Sequence, residues 1–428
     1  MDQTQFIVAQ LGARMHYAVP RVLSEAALLE RFYTDFCASK GWPRLLHLVP
    51  NSMRPDSVRR LLDRSPKGVD PARIVAFNAF GREYARRRRS ATTPTGQTAS
   101  YLWAGREFCR LVLEGGLDAA LGVYCFNSAA LEILQRARLE GRQTVLEQII
   151  APKRIERQIL MEEANSFTGW ETAQGRDALA DDFIAREEAE WAAADTILCG
   201  SQFVVDSIRQ LGGPVEKCVV VPYGVELPGH RGEDGRQMAV GVAEDGKQKA
   251  EDRRRPLRVL TVGAVGLRKG SPYVLEAAKQ LKGQAVFRMV GSIAVTREAE
   301  TKLREHLELT GAVPRSEIAK HFLWADVFLL PSLCEGSATV TYEALGYGLP
   351  VVCTPNTGSV VRDGVEGFIV PARDVNAMVE RLQTLAQDYS LLKQLRLDAR
   401  MRAEEYTLAE YSHRVVGTLQ GQSRNSES

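Results

Sequence analysis

Residues Glu335–Val352 read EGSATVTYEALGYGLPVV. An acidic residue and a glycine come first. A short helical run containing Glu343 follows, then Gly348 and Pro350, then apolar β-branched residues. Glycine past the last turn and proline just downstream are helix stop signals. The stretch therefore reads as a loop, a helix over Thr339–Tyr347, a turn, and a strand over Pro350–Cys353. Immediately upstream, Asp326–Leu330 is a second apolar strand. Strand, helix and strand in that order form a βαβ unit, which lies in a parallel sheet.

The pattern extends outward on both sides. Leu257–Val262, Ala285–Val290 and Gly367–Val370 are further strand candidates. Ser271–Leu281, Arg297–Leu309, Ser316–Ala325 and Val375–Gln387 read as helices. The strands are apolar on both faces, as expected when helices cover the sheet from both sides. The first half gives a sparser version of the same alternation. Its strand candidates are Gln5–Gln10, Leu121–Phe126, Thr144–Gln148, Thr196–Cys199 and Cys218–Val221, with a helix over Phe203–Leu211. Arg86–Arg89 and the following SATTPTGQTAS read as an exposed loop. The expected organisation is α/β: two Rossmann-like domains facing across a cleft, at 1–228 and 257–400. Residues 229–256, rich in glycine and charge, read as a flexible linker or insertion. A last helix near Met401–Leu419 is expected to cross back to the first domain, ahead of a frayed tail ending at 428.

Composition bounds the function. The 428 residues are 45% hydrophobic and 25% charged, with a net charge of only +2. Nothing suggests nucleic-acid binding. The stretch Lys40–Arg110 is different, with 15 Lys/Arg against 5 Asp/Glu. Such a local excess suits an anionic surface, including a membrane leaflet. Seven scattered cysteines without a CxxC argue against a disulfide framework or zinc site and fit a reducing cytoplasm. The N-terminal residues lack a signal-peptide pattern, and no run approaches the ~20 apolar residues of a spanning helix. A cytoplasmic protein is expected, with any membrane contact peripheral, at the inner face.

Four pieces of the second half carry chemistry. The first is Val262–Gly270, VGAVGLRKG. Gly263 and Gly266 allow a close backbone approach, and Arg268 and Lys269 precede a helix start that favours anions. An ordinary glycine turn with a solvated basic pair reads the same way. So does a dinucleotide fingerprint, since Gly263, Gly266 and Gly270 fit GxxGxxxG. The second piece is Phe287–Ser292, FRMVGS, with Gly291 at a strand end. The third is Gly311–Ser332, and the fourth is the opening stretch. There, amides at the start of the Thr339 helix can hold a pyrophosphate. Glu343, about a turn further along, can accept from a ribose diol. Glu335, ahead of the helix, can reach sugar hydroxyls.

The ordered set VG…RKG, VGS, G-x-V-x3-E, ADVFLLPS, EG-x6-EAL-x2-GLPVV and DG-x2-GF-x-V resembles the retaining glycosyltransferases of family 4, which have the GT-B fold. The resemblance covers about Thr196–Leu385. It implies that Lys269, helped by Arg268, neutralises the donor diphosphate. It implies that Glu335 contacts the transferred sugar and Glu343 the ribose. Phosphates would meet the amides of Gly336, Ser337, Ala338 and Thr339, with Val313 near the base. The chain departs from the family at Ala264, usually arginine, and at Gly336-Ser337-Ala338, usually Gly-Phe-Gly. The donor implied is a UDP- or GDP-linked sugar, without an essential metal or other cofactor. The acceptor implied is a glycan or lipid-linked glycan.

On the acceptor side, the resemblance places a glycine loop after the first strand, where this chain has Gly12 to Tyr17. Arg14 and His16 are candidates there for acceptor or phosphate contact. Asn127 follows the mid-domain strand, where relatives carry histidine; it can orient a hydroxyl but is a poor base. A retaining front-face transfer tolerates that, because the departing diphosphate can take the acceptor's proton. Two rivals remain at this level. One is a GT-B sugar-binding protein without turnover. The other is a nicotinamide-dependent oxidoreductase, which leaves Glu335 and Glu343 unexplained.

Overall fold

The structure is a computed structural model that describes residues 5–50, 53–54, 58, 61–172, 175–228 and 255–421. Most of the 229–256 stretch and the 423–428 tail fall outside the described residues. Among the described residues, thirteen strands form two wholly parallel sheets. The first holds β1 (Phe6–Gln10), β2 (Leu29–Thr34), β3 (Ile74–Ala76), β4 (Gly122–Phe126), β5 (Gln143–Gln148), β6 (Thr196–Cys199) and β7 (Cys218–Val220). Its order is β3-β2-β1-β4-β5-β6-β7. The second holds β8 (Leu257–Val262), β9 (Ala285–Val290), β10 (Glu308–Gly311), β11 (Val327–Leu330), β12 (Val351–Cys353) and β13 (Gly367–Ile369). Its order is β10-β9-β8-β11-β12-β13. In each sheet the winding reverses beside the first strand, between β1 and β4 and between β8 and β11. Loops leaving the carboxyl ends of these strands diverge and open a crevice there. This is the two-domain α/β GT-B architecture.

The strands are buried because both faces are covered. Every residue of β1, β4 and β11 is buried. Helix Leu131–Leu139 and helix Ala180–Ala193 cover one face of the first sheet, around Ile133, Trp191 and Phe108. The other face packs Phe6, Val8 and Tyr124 against helix Ala18–Glu25. That cluster is completed by Tyr411, Val415 and Leu419 from the final helix, Leu408–Leu419. The chain therefore returns to its first sheet after building its second.

Several elements differ from the sequence reading. The helix expected over 297–309 stops at Arg304, and Glu308–Gly311 is an edge strand paired to β9. Arg86–Arg89 and the residues after them are helical apart from the short connection Ala91–Thr93. They belong to helix Asn78–Ser90 and helix Pro94–Gly115. Thr93 accepts from the Gly96 amide and Pro94 occupies the first turn, an ordinary helix start. Glu83 pairs with Arg86 and Arg87, and the Arg87 guanidinium lies 4.1 Å over Trp103. β2 and β3 were not anticipated. The region from 401 holds the end of one helix, Tyr389–Glu404, and then Leu408–Leu419.

The last departure concerns residues 153–171, which belong to the first half by position. Trp170 lies in the second half's core, and Ile159, Leu160 and Phe167 pack against it. Helix Lys153–Ser166 and the turn after it therefore ride on the second sheet.

Candidate functional site

The two switch points face one another across a cavity of about 340 Å³. Arg14, Met15, Phe126, Glu147 and Tyr223 line it from the first half. Lys269, Glu335 and the run Gly336 to Val340 line it from the second.

Glu335 lies in the loop between β11 and helix Thr339–Gly346. One of its oxygens receives both cations of the basic pair. Lys269 Nζ is 2.7 Å and Arg268 Nη1 3.0 Å from Glu335 Oε1. Glu335 and Lys269 are each 8% exposed, so this is a buried ion pair at the cavity wall. Burial pulls the Lys269 ammonium below its usual range, and Glu335 works against that shift. Arg268 also donates to the Cys334 carbonyl at 3.1 Å. The three residues predicted to do the chemistry are thus in mutual contact, although 66 positions separate Lys269 from Glu335.

Glu343 sits further along the helix and is half-buried. Burial raises its carboxyl above the ordinary range, opposed by the Arg315 guanidinium 3.5 Å away. Val313 is half-buried, two residues before Arg315. Of the four amides expected to meet phosphate, Ala338's is already committed to the Thr357 carbonyl at 3.2 Å. Among the described residues, no protein acceptor meets the amides of Gly336, Ser337 and Thr339. The Ser337 hydroxyl turns inward, 2.6 Å from Tyr342 Oη and 3.2 Å from the Gly358 carbonyl. Gly336 is pressed against the first half. A Cβ there would lie 2.0 Å from the Ile149 carbonyl oxygen. Ser201 Oγ donates to the Gly336 carbonyl, and the Ala151 amide to that of Glu335.

The other predicted glycines have internal explanations. Gly263 (φ +145°) leaves room for the Lys269 stem, which a Cβ would meet at 2.9 Å. A Cβ on Gly291 would strike the Gly263 carbonyl at 1.9 Å. At Gly266 the space for a Cβ is taken by the Glu171 carboxylate, which accepts from the Leu267 amide at 2.6 Å. Part of the turn expected to receive an anion is thus filled by the protein's own acid.

On the first half, the Gly12 amide donates to Asp35 Oδ1 at 2.9 Å, and Gln10 Nε2 holds the Gly12 carbonyl at 3.0 Å. Arg64 Nη2 donates to the same Asp35 oxygen at 2.6 Å. The loop then runs through Met15, His16 and Tyr17, three consecutive non-glycine residues with φ of 43°, 51° and 63°. Left-handed backbone costs about 1–2 kcal/mol per such residue. The surrounding contacts hold it, including Tyr17 Oη donating to the Phe36 carbonyl at 3.2 Å. Arg14 and His16 project outward as a result, and Arg14 lines the cavity. Surrounding protein lowers the His16 pKa, and Arg315 from the other half adds to the shift.

Asn127 is buried and is not among the residues that line the cavity. Its Nδ2 donates to Glu187 at 3.1 Å and its Oδ1 accepts from the Ile149 amide at 3.4 Å. Each end of the amide thus already has a protein partner. Glu147, not foreseen, takes the place on the wall. Its carboxylate accepts from Tyr124 Oη at 2.5 Å and Tyr223 Oη at 2.9 Å, and burial raises its pKa. It was hidden inside a stretch read only as strand. Among the described residues, no cluster of His, Cys, Asp and Glu is placed to hold a metal ion.

Residues 256–388 match the family described as Glycosyl transferases group 1. The chain is 28% identical to the putative colanic acid biosynthesis glycosyltransferase WcaL of Salmonella typhimurium, over 53% of this chain and 56% of that one. It is 31% identical to the amylovoran biosynthesis glycosyltransferase AmsK of Erwinia amylovora, over 35% of this chain and 40% of that one. The chain spans about half the length of the curated relatives it matches. Among solved structures, it resembles Anabaena Alr3699/HepE in complex with UDP and glucose. The TM-score is 0.59 at 14% identity, over 98% of this chain and 100% of that one. It also resembles sucrose-phosphate synthase of Thermosynechococcus elongatus, with a TM-score of 0.62 at 16% identity, over 98% and 99%. The match to Glycosyl transferases group 1 covers the segment that carries Lys269, Glu335 and Glu343, and nearly the whole chain shares the fold of these two solved structures.

Proposed function

We propose that this protein transfers a sugar, with retention, from a nucleotide-diphosphate sugar to a hydroxyl of a glycan or lipid-linked glycan. One observation carries the reading: Lys269 and Arg268 converge on Glu335 at the cavity wall, beside the open amides of the Thr339 helix. Two cations and a helix start suit a diphosphate, and fixed charges of this kind stabilise a leaving group as its bond breaks. In the transfer, the acceptor oxygen bonds to the anomeric carbon. The bond from that carbon to the diphosphate breaks, and its electrons stay on the diphosphate. The acceptor proton passes to the departing diphosphate on the same face. Glu335 orients the sugar, Glu343 the ribose, and Val313 lies toward the base. Arg14 and His16 face the acceptor.

The names of the relatives favour an exported or envelope polysaccharide, and the complexes of the structural relative favour a UDP-linked donor. The basic stretch 40–110 extends the reading to an anionic membrane surface on the cytoplasmic side. Trp42, Leu45 and Met53 are exposed there, near Lys40, Arg44 and Arg54. No helix among the described residues is long and apolar enough to cross a membrane, so the contact would be peripheral. Co-sedimentation with phosphatidylglycerol vesicles but not phosphatidylcholine vesicles is the expected result; equal binding to both removes this extension.

The central test is a thermal-shift panel of UDP-, GDP- and ADP-sugars with NAD(P)H, followed by nucleotide release from each hit. Stabilisation by a sugar nucleotide with release is expected. Stabilisation by NAD(P)H alone overturns the proposal.

A further inference from the structure

The turn that carries Arg268 and Lys269 is held by two consecutive residues from far earlier in the chain. Glu171 accepts from the Leu267 amide at 2.6 Å, and Trp170 Nε1 donates to Ser271 Oγ at 2.9 Å. One contact sits just before the basic pair and the other just after it. Trp170 and Ser271 are buried, and this hydrogen bond lies wholly inside the protein.

The segment bearing these residues is itself tied down. Thr296 donates through its amide to the Trp170 carbonyl at 2.9 Å and through its hydroxyl to the Gly169 carbonyl at 2.7 Å. Further back, Phe167 stacks edge-on against Tyr273, with centroids 5.3 Å apart. Tyr273 Oη donates to Glu163 at 2.6 Å, and Arg373 Nε reaches the other oxygen of Glu163 at 2.6 Å. Glu163 is 1% exposed. A strap from 163 to 171 thus packs against the second half's core and closes on the turn.

We infer that this strap positions the cation pair, with Glu171 the positioning residue that fixes Leu267 and through it Arg268 and Lys269. A hydrogen bond to an ionised acceptor is stronger than one between neutral groups. The absent side chain at Gly266 has its explanation here, because any Cβ would lie 2.5 Å from the Glu171 oxygen. Glu171 does not touch the cavity; it acts through the backbone of the turn. The consequence for the donor rests on the proposed reading of this turn as the diphosphate site.

The test uses the full chain and two readouts. In hydrogen exchange, Glu171→Ala is expected to speed exchange of the Leu267–Ser271 amides at least tenfold, leaving β1 and β4 unchanged. Unchanged protection at that turn, or a rise spread evenly over the molecule, overturns the inference. In calorimetry with UDP as the probe, Glu171→Ala is expected to weaken binding at least fivefold. Glu171→Gln, which keeps a carbonyl acceptor for Leu267, should recover part of that loss. UDP binding that is the same in all three proteins also overturns it. If the wild-type protein does not bind UDP while exchange still rises only at the turn, the strap stands and the donor reading falls. Should Glu171→Ala not fold, Trp170→Phe removes the Ser271 hydrogen bond while keeping an aromatic ring in the core, and it carries the same exchange expectation.

Discussion

In the free protein, Glu335 holds the two cations that a diphosphate would need. A buried carboxylate between them keeps Lys269 compensated; removing one partner of such a pair costs about 3–5 kcal/mol. Glu335→Gln is therefore expected to lower the stability of the free protein. It should also bind UDP at least as tightly as wild type, because the cations are released to the ligand. Transfer should slow by about a hundredfold, the usual scale for losing one fixed group at a reacting centre. Calorimetry, thermal shifts with and without UDP, and nucleotide release read the three effects. Markedly weaker UDP binding would contradict the competition between Glu335 and diphosphate. Glu343 has a different position, half-buried and paired with Arg315. Glu343→Ala should weaken donor binding about tenfold, the scale of one hydrogen bond to a charged group. Glu335→Ala should weaken it less; equal affinities in the two alanine variants would refute this division of roles.

At the scale of elements, what the sequence could reveal depended on how local the controlling contacts are. β8 and β9 coincide with the expected strands to the residue, because each is mostly apolar, with only Arg258 and Thr261 in β8 and Arg288 in β9 interrupting, and each is followed by glycine. β2 was missed because LERFYT carries Glu30 and Arg31 inside it; Arg31 is tolerated through its 2.9 Å pair with Asp118. β10 lay hidden behind a helical pattern, since His306 and Leu307 continue the apolar spacing after the helix has ended. The site divides the same way. Lys269, Glu335 and Glu343 sit within short stretches whose residue types state their chemistry. Asp35, Glu147 and Glu171 act on groups 23 to 96 positions away, and nothing local marks them. Glu190 is another residue of this kind. It caps helix Leu131–Leu139 by accepting from the Ser128, Ala130 and Leu131 amides at 2.7, 3.0 and 3.2 Å. Burial pushes its carboxyl up to about 7 from 4.5. A raised pKa means the folded protein binds the extra proton, so this stability is full below about 4.5 and lost as pH rises to about 7. Thermal midpoints measured from pH 4.5 to 7.5 should show that decline, and Glu190→Gln should lack it. Parallel profiles would refute it.

For the whole molecule, the two halves meet where Gly336 abuts Ile149. Gly336→Ala should wedge the cleft open, because the intruding carbon faces backbone that cannot rotate away. A larger radius of gyration by small-angle scattering and about tenfold weaker UDP binding are expected. An unchanged scattering profile would show that the contact yields locally instead. The return of helix Leu408–Leu419 to the first sheet bears on how the protein is made. The first core lacks Tyr411, Val415 and Leu419 until nearly the whole described chain has been synthesised, at roughly 5–20 residues per second. For on the order of ten seconds or more, helix Ala18–Glu25 waits on a ribosome-bound chain without the final helix that packs beside it. During that interval the nascent chain would be a substrate for holding chaperones, and a ribosome stalled anywhere before Tyr411 would display an unfinished apolar wall to the cell's quality control.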